Sequence, residues 1–133
     1  MEKRIMIVDD DPDILITFRQ IFEHEGYKVF TVDSGKDCIK EIENGFKGLV
    51  LVDLMLPFMD GWQTIQEIIK RDLGKNVKIF IITAKGTLEQ EKINEVGPYI
   101  FDYIKKPIDI EELLLKVKKM SFFWIFYKKH LFN

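Results

Sequence analysis

Leu49-Val50-Leu51-Val52-Asp53 is a run of four aliphatic residues that stops on a carboxylate. A strand with one wet face alternates apolar and polar side chains, whereas an unbroken run signals burial on both faces, as in parallel sheets covered by helices. Three further runs end in the same manner: residues 5–8 stop on Asp9-Asp10, 79–82 on Thr83, and 99–104 on Lys105-Lys106. If these are parallel strands their carboxyl ends share one rim, so carboxylates, a hydroxyl and an ammonium converge on a single crevice.

Between the runs, the apolar spacing turns helical. Asp11-Pro12 opens a helix carrying Ile14, Leu15, Phe18, Ile21 and Phe22, and Gly26 stops it. A second strand over 27–32 leads to Ser34 as the cap of a helix with Cys38, Ile39 and Ile42, closed by Asn44-Gly45. After the third strand, a loop with Pro57 and Gly61 feeds a helix through Trp62, Ile65, Ile68 and Ile69, with Gly74 beyond its end. The fourth strand is 77–82. Residues 87–96 offer only Leu88, Ile93 and Val96 for burial, so the helix there is short or mobile. The fifth strand precedes Pro107, and Asp109 with Glu112 opens a last helix bearing Leu113, Leu114 and Val117. This alternation predicts an α/β chain: a flavodoxin-like doubly wound parallel sheet of five strands in the order 2-1-3-4-5, with five helices.

The 133 residues, 47% hydrophobic and 32% charged, suit one compact domain. A second catalytic or DNA-binding domain does not fit within them. A net charge of −2 excludes a global basic field for nucleic acid. Cys38 is the single cysteine, and residues 1–10 lack a signal-peptide pattern, so the expected location is the cytoplasm.

Carboxylates crowded into a crevice repel one another, so Asp9, Asp10 and Asp53 call for a cation. Few hard oxygen ligands, with room for water and a phosphate oxygen, suit Mg²⁺ better than Zn²⁺. A carboxylate oxygen is also a nucleophile that forms an acyl phosphate, and Asp53, alone at a central strand's end, is the better candidate. Mg²⁺ and a lysine would then neutralise the charge of the transferring phosphoryl group, with the Thr83 hydroxyl binding a phosphate oxygen. Taken one at a time, these residues also read as helix caps and surface charges. Their joint placement at four strand ends argues for a site.

The stretches 5–12 (Ile5-Met6-Ile7-Val8-Asp9-Asp10-Asp11-Pro12), 51–57 ending in Leu56-Pro57, Met59-Asp60-Gly61, Ile81-Ile82-Thr83-Ala84 and 102–107 ending in Lys105-Lys106-Pro107 together resemble the receiver domains of two-component response regulators. The resemblance covers about residues 3–119 and is closest in kind to the stand-alone chemotaxis-type receivers. It implies a signalling switch that assists its own aspartyl phosphorylation and dephosphorylation, and not an enzyme in the ordinary sense. By this resemblance Asp53 is the phosphoacceptor, charged by a histidine kinase or a histidine phosphotransfer protein. Asp9 and Asp10 hold Mg²⁺ with Asp53 and the backbone carbonyl of Met55. Lys106, before a cis Pro107, is the site lysine, Thr83 and Tyr103 form the switch, and a downstream protein reads the result.

Two positions beside the site, Met55 and Lys85, cannot position an attacking water, which predicts a long-lived phosphoryl group. An inert receiver-like module is opposed by the intact Asp9, Asp10, Asp53, Thr83 and Lys106. A Mg²⁺-dependent aspartyl phosphatase needs an acid where Met55 stands. A flavodoxin-type FMN carrier needs a phosphate loop where Asp9-Asp10-Asp11 would repel it. The segment 97–103 is more apolar than the family pattern, which leaves a homodimer mode open. Residues 1–120 are expected to form the receiver and 121–133 an aromatic-rich tail extending the last helix. Too short to span a bilayer, the tail either packs on the domain or a second subunit, or lies at a membrane surface. The sequence favours packing.

Overall fold

The computed structural model describes residues 3–84 and 89–131, with side chains described as far as Phe126. Strands β1 (Arg4–Val8), β2 (Lys28–Val32), β3 (Gly48–Asp53), β4 (Val77–Thr83) and β5 (Ile100–Lys105) alternate with helices α1 (Pro12–His24), α2 (Gly35–Glu43), α3 (Gly61–Lys70), α4 (Gln90–Val96) and α5 (Ile110–Leu131). All strand pairs are parallel, in the order β2-β1-β3-β4-β5. The expected doubly wound sheet is the one observed.

The aliphatic runs lack alternation because both faces of the sheet are covered. Ile5, Ile7, Leu49, Leu51, Phe80 and Ile82 pack with Phe18 and Phe22 of α1 and Leu113, Val117 and Met120 of α5. Their neighbours Met6, Val8, Val50, Val52, Ile79 and Ile81 pack on the opposite layer, with Cys38, Ile39 and Ile42 of α2 and Trp62, Ile65 and Ile68 of α3. Each strand therefore feeds two cores, and removing apolar surface from water on both faces is the main favourable contribution to this fold.

Most element starts match their sequence signals. Asp11 caps α1 by accepting from the Asp13 N–H, Ser34 caps α2 by accepting from Asp37, and Asp109 accepts from Glu112 at the head of α5. The cap of α3 is Asp60, which forms a reciprocal capping box with Gln63. The fifth strand begins one residue later than expected, because Pro98 and Tyr99 belong to a 3-10 turn over Gly97–Tyr99. Helix α4 has seven residues; the expected start at Thr87, with Leu88, and also Lys85, lie outside the described residues. Helix α5 continues past Met120 for a total of 22 residues, about 33 Å at 1.5 Å per residue. Phe132 and Asn133 lie outside the described part.

Candidate functional site

Parallel strands deliver their C-terminal residues to one edge, and here the last residues of β3 and β4 are Asp53 and Thr83 themselves. Asp9 follows β1 and stays tied to the sheet through its N–H, which donates to the Val32 carbonyl. Lys106 follows β5, and its N–H donates to the Thr83 carbonyl at 2.8 Å. Four neighbouring strand ends thus meet at one edge of the sheet. Asp9, Asp53 and Thr83 are buried, while Asp10 is exposed.

Backbone amides aim the two buried carboxylates. The Asp11 N–H donates to Asp9 Oδ1 at 2.9 Å and the Met55 N–H to Asp53 Oδ1 at 2.8 Å. Asp53 Oδ2 accepts from Lys106 Nζ at 2.8 Å, and the same ammonium lies 3.7 Å from Asp9 Oδ2. That second Asp9 oxygen is fully enclosed and has no hydrogen-bond partner, an expensive arrangement for a carboxylate. Ligand oxygens of Asp9, Asp10 and Asp53 lie within 4.8 Å of one another, so these three carboxylates could hold a metal ion.

The charges respond to this geometry. Burial pushes the Asp9 carboxyl up to about 6; the Asp11 N–H and Lys106 oppose the rise, and the Asp53 charge adds to it. At Lys106, burial disfavours the ammonium, but the hydrogen bond and charge of Asp53, with Asp9 and Asp11 beyond, outweigh it and raise the pKa above its ordinary value. Lys106 therefore stays protonated beside the two carboxylates.

The remaining expected residues take distinct places. Met55 sits two residues after Asp53 and is 54% exposed. Tyr103 is 40% exposed on β5, its ring 5.7 Å from the Lys116 ammonium, on the outer surface and not in the crevice. Lys105 is exposed, and the Lys106-Pro107 peptide bond is cis. Two positioning residues carry more than the sequence suggested. A Cβ at Gly61 would lie 2.6 Å from the Asp53 carbonyl and 2.7 Å from Leu54 Cα, so only glycine lets the head of α3 close against the end of β3. Asp60 fixes that head, and the signal that could have found it is the Asp60-x-x-Gln63 spacing of a capping box.

A family model described as the response regulator receiver domain matches residues 5–118. The response regulator SaeR of Staphylococcus aureus is 35% identical over 116 residues, covering 87% of this chain and 49% of that protein. The chain spans about half the length of the curated relatives it matches. Among solved structures, a CheY-like response regulator receiver domain protein from Methanospirillum hungatei superposes with a TM-score of 0.83 at 36% identity, covering 98% of this chain and 100% of that one. The signal receiver domain of a putative Luxo repressor protein from Vibrio parahaemolyticus gives 0.81 at 27% identity, with coverage of 98% and 100%.

Proposed function

The chain belongs to the response regulator receiver family, and from that premise we propose that it is a Mg²⁺-dependent switch phosphorylated on Asp53. The observation that carries this reading is the Lys106 ammonium 2.8 Å from Asp53 Oδ2, beside an Asp9 oxygen enclosed without a hydrogen-bond partner. The donor is a histidine kinase or a histidine phosphotransfer protein. An Asp53 carboxylate oxygen attacks the phosphorus of the phosphohistidine; the C–O–P linkage forms, the P–N bond breaks, and imidazole leaves with the electron pair. Because the Met55 N–H holds Oδ1, Oδ2 is the oxygen presented to the donor.

Asp9, Asp10, Asp53 and the Met55 carbonyl would hold Mg²⁺, which when bound supplies positive charge against the phosphoryl oxygens. Lys106 exchanges its Asp53 oxygen for a phosphoryl oxygen, and Thr83 at the end of β4 offers its hydroxyl to another. The exposed Ala84 leaves the approach open. The displacement of Thr83 frees space beneath β5, into which Tyr103 turns from its outward position. A target protein that reads this surface then distinguishes the two states.

Incubation with acetyl phosphate and Mg²⁺, followed by intact mass measurement, tests the reading. One phosphoryl adduct is expected, absent in Asp53→Asn and absent without divalent metal. With Met55 beside the site, that adduct outlasts minutes at room temperature. An adduct that survives in Asp53→Asn, or none from any donor, contradicts the proposal.

A further inference from the structure

Helix α5 has two unlike sides below Met120. Met120 and Ser121 are buried, the Ser121 hydroxyl hydrogen-bonds Tyr27, and Trp124 packs on the core. The outward side carries Leu115 (70% exposed), Phe122 (65%), Phe126 (51%) and Phe123 (46%). Phe122 and Phe126 stack one turn apart, so these rings form a continuous stripe. Phe123 and Phe126 also line a groove of about 730 Å³, together with Val77, Phe101, Lys75 and Lys78.

Charge is distributed with the same polarity. From Leu113 onward the sequence has five lysines, 116, 118, 119, 128 and 129, and no Asp or Glu. Lys3, Arg4, Lys28, Lys47 and Lys78 stand at the amino ends of the strands, the same end of the sheet that this part of α5 passes. Among the described residues, Lys28, Lys47, Lys75, Lys118 and Lys119 are exposed and form no ion pair. Among the described residues, Glu23, Glu43 and Glu67 at this end are engaged by Arg19 and Arg71, while Glu25 and Asp72 form no ion pair. The opposite pole holds the acidic site.

We propose that the lysine-flanked aromatic stripe of α5, with the basic amino-end edge of the sheet, docks on an anionic lipid surface. Exposed rings interleaved with lysines match the headgroup boundary, where rings enter the acyl region and ammonium groups meet lipid phosphates. Pairing of the stripe with a second copy of itself would gather Lys118 and Lys119 of both copies, with Glu111, one turn before Leu115, as the carboxylate in line with the stripe. Leu115 and the self-stacked Phe122–Phe126 pair suit an apolar layer better than the faces of nucleic-acid bases. No described helix is long and apolar enough to cross a membrane, so the contact is peripheral. A seven-residue strand separates this edge from Thr83, about 20 Å, so the acidic site faces away from the lipid. The inference does not rest on phosphorylation.

Co-sedimentation of the full chain with phosphatidylcholine vesicles, plain or containing about one-third phosphatidylglycerol, tests it. Binding to the anionic vesicles is expected to be about tenfold or more tighter than to the neutral ones, and weaker in about 0.5 M salt. Phe122→Ser/Phe126→Ser and Lys118→Glu/Lys119→Glu should each lower it about tenfold, with circular dichroism unchanged. Equal or absent binding to the two vesicle types overturns the proposal. So does tighter binding to a single-stranded oligonucleotide, or a dimer that depends on Phe122 and Phe126 and ignores vesicles.

Discussion

The two ends of this sheet are built on opposite principles. At the carboxyl end, buried acids and one lysine are held by backbone amides and by each other, within a few ångströms and with little freedom. At the amino end, lysines and aromatic rings stand in solvent, several without a charged partner. In the first arrangement a substitution removes a charge that another charge faces, and so alters the site's chemistry; in the second the ammonium groups of Lys3, Lys28 and Lys78 lie over the Tyr27, Phe30 and Phe101 rings, while Lys47, Lys118 and Lys119 are exposed and form no ion pair among the described residues. Substitutions at the two ends should therefore differ in kind.

The largest effect is expected at Lys106. Lys106→Ala removes the charge facing Asp53 Oδ2 and should slow phosphorylation by acetyl phosphate about a hundredfold, as loss of one preorganised donor does, while the amount of folded protein changes little. A rate within a factor of two of the parent would break the contrast between the poles.

Next comes a pair on a single helix. Met120 is fully buried and Phe122 is 65% exposed two residues later. Met120→Ala should cost about 2–5 kcal/mol in a urea titration through the cavity it leaves, whereas Phe122→Ala should stay within about 0.5 kcal/mol. Comparable losses at both positions would mean that the stripe is held inside the protein.

Asp9→Asn sharpens the comparison from the acidic side. It removes a buried charge whose second oxygen lacks a hydrogen-bond partner, so metal-free protein should gain about 1–3 kcal/mol while Mg²⁺ no longer raises its thermal midpoint. Loss of stability without metal would show that Asp9 is a structural acid.

The smallest effect concerns Cys38, whose thiol burial pushes up to about 12 from an ordinary 9.0. An acid raised in the folded state is ionised first in the unfolded chain, so its contribution to stability is intact below about 9 and falls as the pH climbs toward 12. At pH 9, iodoacetamide should therefore label Cys38 only as fast as the chain opens, far more slowly than in urea. Labelling at the same rate in both would contradict the burial.

These contrasts also explain what was legible in the sequence. The sheet could be read because β1, β3 and β4 are buried on both faces, which forbids polar alternation and leaves a pattern that one window reveals. The clustering of the strand ends could be read because parallel topology sends Asp9, Asp53, Thr83 and the Lys105-Lys106 pair to one edge, whereas the choice of Lys106 over Lys105 came from the resemblance. The cap at Asp60 carries a local signal in its spacing to Gln63, whereas the close approach at Gly61 depends on how a loop folds back onto Leu54, and no local spacing reports that contact. The α5 extension was opaque for another reason: apolar residues lie all round it, so only tertiary packing decides that Ser121 and Trp124 turn inward and Phe122 and Phe126 outward. Its sequence favoured packing on protein, and Ser121 and Trp124 do pack on the domain, while Phe122 and Phe126 are left exposed.

The claim on which the account depends is that Asp53 carries the phosphoryl group. Borohydride reduces an aspartyl phosphate to homoserine, so treatment of the acetyl phosphate-reacted protein, followed by peptide mass spectrometry, locates the modified residue directly. Homoserine at position 53 alone is the expected result. Homoserine at position 9 or 10, or its absence from protein that has gained a phosphoryl adduct, would contradict the assignment.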